Sequence, residues 1–120
     1  MQHAQTAYNA SLDNVRELID EDVASFVSAE RLAAVEVYTQ WCGFCRALAP
    51  HYAALADEYR GWIAFGKIDG DFNPRYVEDN EVQAYPTVHL YLDGERVSTA
   101  LGFVRPPELR RILDELIDRA

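Results

Sequence analysis

Two cysteines three residues apart, Cys42 and Cys45, are the residues whose type and spacing most clearly allow chemistry in this sequence. As a structural staple the pair would contribute little, because a bridge that closes a loop of about four residues removes only roughly 2 kcal/mol of unfolded-chain entropy. As half of a zinc site it lacks a second pair of ligands, since the three histidines show no ligand spacing. The third alternative, a redox pair that cycles between dithiol and disulfide, is the one that the spacing favours.

The position of the pair supports the redox interpretation. A compact apolar run at residues 32–39 predicts a buried central strand that ends just before Cys42. Beyond the pair, apolar residues recur on one helical face: Leu48, Tyr52, Leu55 and Tyr59. The cysteines therefore lie where a strand passes into a helix, and the unpaired N–H groups and positive dipole end of that helix favour thiolate over thiol.

The elements that must position the pair follow from the same patterns. Strands are predicted at residues 15–19, 32–39, 62–69, 87–92 and 96–101, the last two joined by a turn at Asp93-Gly94. Helices are predicted from an N-cap at Asp20 to Val27, from the cysteine pair to Gly61, from Asn73-Pro74 onward, and from Pro106 to near the end. The resulting order, βαβαβαββα, predicts an α/β domain.

Composition and charge limit the partners. The chain has 120 residues and is 49% hydrophobic, which is typical of one globular domain. Its 20 acidic and 11 basic residues give a net charge of −9 without a basic patch, so nucleic acid and anionic membrane surfaces are not expected partners. No apolar run is long enough to span a membrane, and residues 1–30 do not resemble a signal peptide. We therefore expect a cytoplasmic protein, or a secretory or periplasmic one if a signal has been removed.

Segment 41–45, Trp-Cys-Gly-Phe-Cys, together with Pro50 and the Tyr-Pro-Thr segment 85–87, resembles the thioredoxin family. The resemblance implies the thioredoxin fold, a central mixed β-sheet flanked by helices, over residues 15–120, with residues 1–14 as a flexible N-terminal extension. It also implies thiol–disulfide exchange as the activity. Glu36, Tyr38, Tyr85 and segment 66–69 are similar to the catalytic domains of protein disulfide isomerases within that family.

The resemblance also implies a role for each catalytic group. Cys42 is the expected nucleophile that forms a mixed disulfide with the substrate, and Cys45 is the expected resolving thiol that releases it. Glu36 is the expected buried carboxylate that accepts the Cys45 proton, with Lys67, the only lysine, as its cationic partner. Burial should raise the pKa of Glu36, whereas a neighbouring Lys67 should lower it.

Contact with the substrate is expected from the segments around the pair. Trp41 would shield the disulfide and offer an apolar surface, Gly43 would allow a close approach of strand and helix, and Pro86 would be a cis proline facing the cysteines. The expected substrate-contacting residues are Trp41, Gly43, Phe44, Tyr85, Pro86 and Thr87. The histidines His51 and His89 are interpreted as surface or packing residues.

Phe44 departs from the family pattern. Reductase-type thioredoxins have proline at this position and disulfide isomerases have histidine, so we expect a reduction potential between roughly −270 and −180 mV. The sequence predicts a thiol–disulfide oxidoreductase that reduces protein disulfides, with two alternatives. One is a disulfide oxidase or isomerase domain of a secretory or periplasmic protein, and the other is a thioredoxin-like interaction subunit of a larger assembly.

No metal and no bound organic cofactor are expected, because the redox-active Cys42/Cys45 pair carries the electrons itself. The expected partners are protein substrates with disulfides or dithiols and a separate disulfide reductase. We expect the protein to be a monomer.

Overall fold

The computed structural model describes residues 14–120. Its strands, β1 to β5, span Val15–Leu18, Leu32–Tyr38, Ala64–Asp69, Thr87–Leu92 and Glu95–Leu101. Its helices, α1 to α4, span Val23–Ala29, Gly43–Glu58, Pro74–Asp79 and Pro106–Arg119, and a short 3-10 turn at Asp20–Asp22 precedes α1. The predicted order and the α/β class are confirmed. Apart from Asn14, the predicted extension at residues 1–14 lies outside the described residues.

The strands form one mixed sheet in the order β1-β3-β2-β4-β5. β3 pairs in parallel with both β1 and β2, whereas β4 is antiparallel to β2 and to β5. β2 is therefore the central strand, and its run of buried residues matches a strand covered on both faces. The chain leaves β2 at Tyr38 and reaches the cysteine pair just beyond the carboxyl end of this central strand.

Helices cover both faces of this sheet. Side chains of α2 and α4 pack with Ala34 of β2 in one core cluster. Side chains of α1 and α3 pack with Val35 and Val37 of β2 in another. Because side chains alternate along a strand, Glu36 points to the same face as Ala34, towards α2. The sheet thus places this carboxylate under the helix that begins at the cysteines.

The N-cap predicted at Asp20 is wrong for the following helix. The 3-10 turn occupies Asp20–Asp22, and the Asp20 carboxylate instead accepts hydrogen bonds from the backbone N–H groups of Tyr76 at 2.8 Å and Arg75 at 3.3 Å. Asn73 is the N-cap residue of α3, as predicted, but its side chain makes no capping hydrogen bond and accepts the backbone N–H of Asp20 at 2.9 Å. Asp20 therefore satisfies orphan N–H groups of α3, which lies more than fifty residues further along the chain.

Two boundaries illustrate how turn chemistry fixes the elements. β3 begins at Ala64 rather than at Trp62, because Trp62 is exposed and its N–H closes the turn after α2 onto the Tyr59 carbonyl at 2.9 Å. In the β4–β5 hairpin, Asp93 and Gly94 have φ values of 52° and 84°. Two consecutive left-handed residues match the twist of antiparallel strands, so the predicted turn is confirmed.

Candidate active site

Cys42 occupies the N-cap of α2. Its backbone is extended, and its sulfur accepts a hydrogen bond from the Cys45 N–H at 3.2 Å. The Cys42 sulfur is half-buried and lies 3.6 Å from the carbonyl oxygen of Tyr85. A backbone N–H directed at sulfur stabilises a thiolate more than a thiol, so Cys42 has the surroundings of an attacking nucleophile.

Cys45 lies one helical turn further along α2 and is 4% exposed. Burial raises the pKa of the Cys45 thiol, and the neighbouring Cys42 sulfur raises it further. Both cysteines are free thiols in this structure. The accessible sulfur and the buried sulfur therefore differ in the way that the roles of attacking and resolving thiol require.

Glu36 is 3% exposed and lies in the central strand, between Lys67 of β3 and Val88 of β4. Burial raises its pKa to about 7, and the charge of Lys67 opposes that rise. Glu36 and Cys45 line the same cavity of about 240 Å³, which is large enough to hold water molecules. A carboxyl group that titrates near neutral pH beside a buried thiol can accept and return its proton.

The surroundings of Lys67 differ from the expectation. Lys67 is the register neighbour of Glu36, yet within residues 14–120 its only ion pair is with Glu17 of β1, at 3.8 Å. The Tyr38 hydroxyl donates to the same Glu17 carboxylate at 2.8 to 2.9 Å. Lys67 thus acts on Glu36 through its charge as a register neighbour, whereas its ion pair is with the second carboxylate, which β1 supplies on the other side.

Exposed aromatic side chains flank the pair. Trp41 is 72% exposed, and its indole N–H donates to Asp71 at 2.8 Å, which fixes the ring beside Cys42. Phe44 is 67% exposed, and its ring lies 6.5 Å from that of Phe103, in the loop before α4. These rings offer an apolar surface next to the accessible sulfur.

Gly43 does not have the predicted close contact between strand and helix. A Cβ placed there would meet only the end of the Arg46 side chain, at 3.9 Å. A Cβ at Gly70 would come within 2.7 Å of the Tyr85 ring, so this tight contact joins two loop segments rather than a strand and a helix.

Segment 85–87 faces the cysteine pair from the start of β4. The Tyr85–Pro86 peptide bond is cis, as the resemblance implied, and the Tyr85 carbonyl points to Cys42. The Thr87 side chain is 2% exposed, and its hydroxyl donates to the Ala84 carbonyl at 2.7 Å. Thr87 therefore stabilises the loop through this hydrogen bond. The Tyr85 backbone is the part of the segment that contacts the accessible sulfur.

Sequence reasoning missed Glu17, Asp71 and Phe103 as residues of this site. One feature of the sequence could have indicated Glu17. It lies two residues after the apolar Val15 in a predicted strand, and residues two apart share a face of the sheet. Asp71 and Phe103 lie in loops whose path only the folded chain defines.

In the described part of the chain, no group of three or more His, Cys, Asp or Glu residues could hold a metal ion. None of the helices within residues 14–120 is long and apolar enough to cross a membrane.

The two thiols should differ in reactivity. We expect iodoacetamide to alkylate Cys42 at least about tenfold faster than Cys45 in the reduced protein at pH 7, because Cys42 is the more accessible sulfur and burial raises the pKa of the Cys45 thiol. Timed quenching followed by peptide mass spectrometry would give both rates. A Cys45→Ala variant, which retains a single thiol, provides the matched rate for Cys42 alone. Equal and slow rates would contradict the assignment of roles.

Comparison with known proteins places these features in a family. The sequence matches the family model described as thioredoxin over residues 14–115. It is 31% identical over 104 residues to Thioredoxin C-3 of Corynebacterium nephridii, covering 86% of this chain and 71% of that protein. It is 40% identical over 89 residues to Protein disulfide isomerase-like 1-3 of Arabidopsis thaliana, covering 74% of this chain but only 15% of that longer protein.

The fold comparison agrees. The crystal structure of mitochondrial thioredoxin 3 from Saccharomyces cerevisiae, in its oxidised form, superposes with a TM-score of 0.80 at 25% sequence identity. The superposition covers 88% of this chain and 98% of the yeast chain. The mixed five-stranded sheet with helices on both faces is therefore that of a thioredoxin.

Proposed function

The chain belongs to the thioredoxin family and has the site of a thiol–disulfide oxidoreductase, and we propose that it reduces protein disulfides through a cycle of Cys42 and Cys45. One observation supports this most directly. The accessible Cys42 sulfur lies at a helix N-cap, hydrogen-bonded to the N–H of the buried Cys45, whose thiol shares a cavity with Glu36.

The cycle has two exchange steps. The Cys42 thiolate attacks one sulfur of a substrate disulfide, so that a mixed disulfide forms and the other substrate sulfur leaves as a thiolate. Cys45 then gives its proton to Glu36, and its sulfur forms a bond with Cys42 while the bond between Cys42 and the substrate breaks. The substrate has gained two electrons, and the Cys42–Cys45 disulfide has lost them.

Phe44 favours the reducing direction of the cycle. A pair becomes a stronger oxidant when its reduced form, with a Cys42 thiolate, is stabilised. Phe44 carries no charge, and its ring is exposed beside Phe103 rather than hydrogen-bonded to the cysteine. The N–H of Cys45 is the donor that the structure directs at the Cys42 sulfur. This favours a reductant over the oxidising couples in which a histidine adds its own stabilisation.

An extended substrate segment fits the surface around Cys42. The Tyr85 backbone lies 3.6 Å from the Cys42 sulfur and can pair with a peptide main chain that brings its cysteine there. The exposed rings of Trp41 and Phe44 lie next to the cysteine pair and can contact apolar side chains beside the target disulfide. Gly43, which lies between these two aromatic residues in the sequence, adds no side chain to this surface.

The protein works as a monomer without a metal or bound organic cofactor, and a separate disulfide reductase or a thiol pool returns the oxidised pair to the dithiol. A cytoplasmic location goes with this direction, because a reductant acts where thiols are kept reduced. An oxidase or isomerase domain in a secretory or periplasmic compartment is the second candidate, supported by the 40% identity to a protein disulfide isomerase-like protein.

The equilibrium reduction potential of the Cys42/Cys45 couple tests the direction. We expect a value closer to about −270 mV than to about −180 mV, measured against a series of glutathione ratios with thiol trapping. A Phe44→His variant is the matched comparison, and its potential should be less negative, because the histidine adds a donor to the thiolate. A wild-type value near −180 mV would overturn the proposed direction in favour of oxidation or isomerisation.

A further inference from the structure

Three charged side chains lie next to one another across neighbouring strands. Glu17 of β1 is the register neighbour of Lys67 in β3, and Lys67 is the register neighbour of Glu36 in β2. Directly paired residues project from the same face of a sheet, so the lysine has a carboxylate on each side. The Glu17 side chain is exposed, whereas Glu36 is buried.

Lys67 is held on the side of Glu17. Its ammonium lies 3.8 Å from the Glu17 carboxylate and 5.4 Å from the centre of the Tyr38 ring. The Tyr38 hydroxyl donates to that same carboxylate at 2.8 to 2.9 Å and so fixes the position of the group that attracts the lysine. A hydrogen-bonded carboxylate on a strand is a better-defined partner than a free surface side chain.

We propose that Glu17 is a positioning residue that draws Lys67 away from Glu36 and thereby keeps Glu36 able to accept the Cys45 proton. The inference rests on the proposed reductive cycle, in which Glu36 takes that proton as Cys45 attacks Cys42. A buried carboxylate paired only with Lys67 would be a weaker base, because a full positive charge beside it stabilises the ionised form. Glu17 reduces this effect by sharing the lysine.

The charged groups around Glu36 agree with a Glu17 that raises the pKa of Glu36. Those that line its cavity and titrate or carry charge are Tyr38, Cys45, Arg46, Tyr52 and Lys67. Burial is the main cause of the raised Glu36 pKa, Lys67 lowers it, and the negative charge of Glu17 raises it. Removing the charge of Glu17 therefore removes one contribution that raises this pKa and frees Lys67 to strengthen the one that lowers it.

The test is the titration of Glu36 in a Glu17→Gln variant. Carbon-13 NMR of labelled glutamate carboxyl groups gives the Glu36 midpoint directly, and the rate of mixed-disulfide release against pH gives it through function. In both measurements we expect the midpoint to move about one pH unit towards acid. Lys67→Gln should move it in the opposite direction, and Glu17→Asp, which retains the charge, should restore most of the wild-type midpoint.

A matched control removes a carboxylate from an ion pair elsewhere. Glu58 pairs with Arg110 at 3.0 Å, at the other end of α2, about 22 Å along the helix from the cysteines. Glu58→Gln should leave the Glu36 midpoint unchanged. The inference is overturned if Glu17→Gln leaves that midpoint where it is in the wild type. The NMR titration does not depend on activity, so a wild-type protein without reductase activity would contradict the proposed function and leave this result readable on its own.

Discussion

Replacing Cys42 with serine should abolish disulfide reduction, with a loss of about three orders of magnitude or more, because a hydroxyl group can neither ionise near neutral pH nor form a disulfide. The accessible sulfur at the N-cap of α2 is the only one that a substrate can reach, since Cys45 is buried beneath it. Reduction of insulin disulfides at a fixed dithiothreitol concentration, followed as turbidity, would measure the loss.

Cys45→Ser is the matched variant for this result. It retains the nucleophile and removes the resolving thiol, so the first exchange proceeds and the mixed disulfide accumulates. Mass spectrometry should show a substrate adduct on Cys42 in this variant and none in Cys42→Ser. An adduct pattern reversed between the two variants would contradict the assignment of attacking and resolving thiols.

The same variant separates catalysis from docking. If the fold served as an interaction subunit of a larger assembly, Cys42→Ser would retain the biological activity of the protein, because binding through exposed Trp41 and Phe44 needs no thiol. If the chain works as a reductase, activity is lost while the fold and its surface remain. Full activity of Cys42→Ser in a complementation assay would therefore contradict the reductase function.

Features set by neighbouring residues along the chain could be predicted from the sequence. The apolar run of β2 indicates a covered central strand, and the helical spacing after Cys45 indicates α2, so the position of the pair between them follows. The turn at Asp93-Gly94 requires only the left-handed preference of its two residues. In each case the deciding interactions lie within a few residues of one another.

Features set by contacts between distant parts of the chain could not be predicted. Asp20 hydrogen-bonds to the backbone N–H of Tyr76, 56 residues further on, although its local sequence is typical of a cap for the next helix. Glu17 meets Lys67 only because β1 pairs in parallel with β3 in one particular register. A shift of one residue would turn Glu17 to the other face, and no local pattern specifies that alignment.

His89 shows the same limit in the core. It is 2% exposed on β4, in an alternating strand pattern that fits a surface or a buried position equally well. Its Nε2 accepts from the Arg96 guanidinium at 3.0 Å, so Nδ1 carries the proton and donates to the Tyr76 hydroxyl at 2.7 Å. The Tyr76 and Tyr91 hydroxyl oxygens lie 2.7 Å apart. The sequence left a surface and a packing position open for this histidine; the structure buries it in a hydrogen-bonded network of residues from three elements.

Glu36 and His89 should impose opposite pH dependences on stability. They occupy opposite faces of the sheet, because His89 is the register neighbour of Val35 rather than of Glu36. Burial raises the pKa of Glu36 from 4.5 to about 7. Burial, with the charge of Arg96 as a second cause, lowers the pKa of His89 from 6.5 to about 4.

The direction in which each group changes stability with pH depends on whether the folded or the unfolded state binds more protons. Between pH 4.5 and about 7 the folded protein keeps a proton on Glu36 that the unfolded chain releases, so this contribution to stability is lost as pH rises. Between about pH 4 and 6.5 the unfolded chain binds a proton on His89 that the folded protein does not, so this contribution is lost as pH falls. Each is worth on the order of 3 kcal/mol. In the wild type they largely cancel between pH 4.5 and 6.5.

Glu36→Gln should expose the histidine contribution alone. We expect the free energy of unfolding of this variant, from urea titrations of the reduced protein at half-unit steps, to rise by on the order of 3 kcal/mol between pH 4 and 6.5. The wild type should change little over the part of this range where the two groups oppose each other. Above pH 7 the variant should exceed the wild type in stability, because no buried carboxylate has to ionise.

Glu95→Gln, which removes an exposed carboxylate from β5, should keep the wild-type profile. A Glu36→Gln protein with that same flat profile would show that the two buried groups do not oppose each other, since burial of His89 beside Arg96 should leave a slope once Glu36 is neutral.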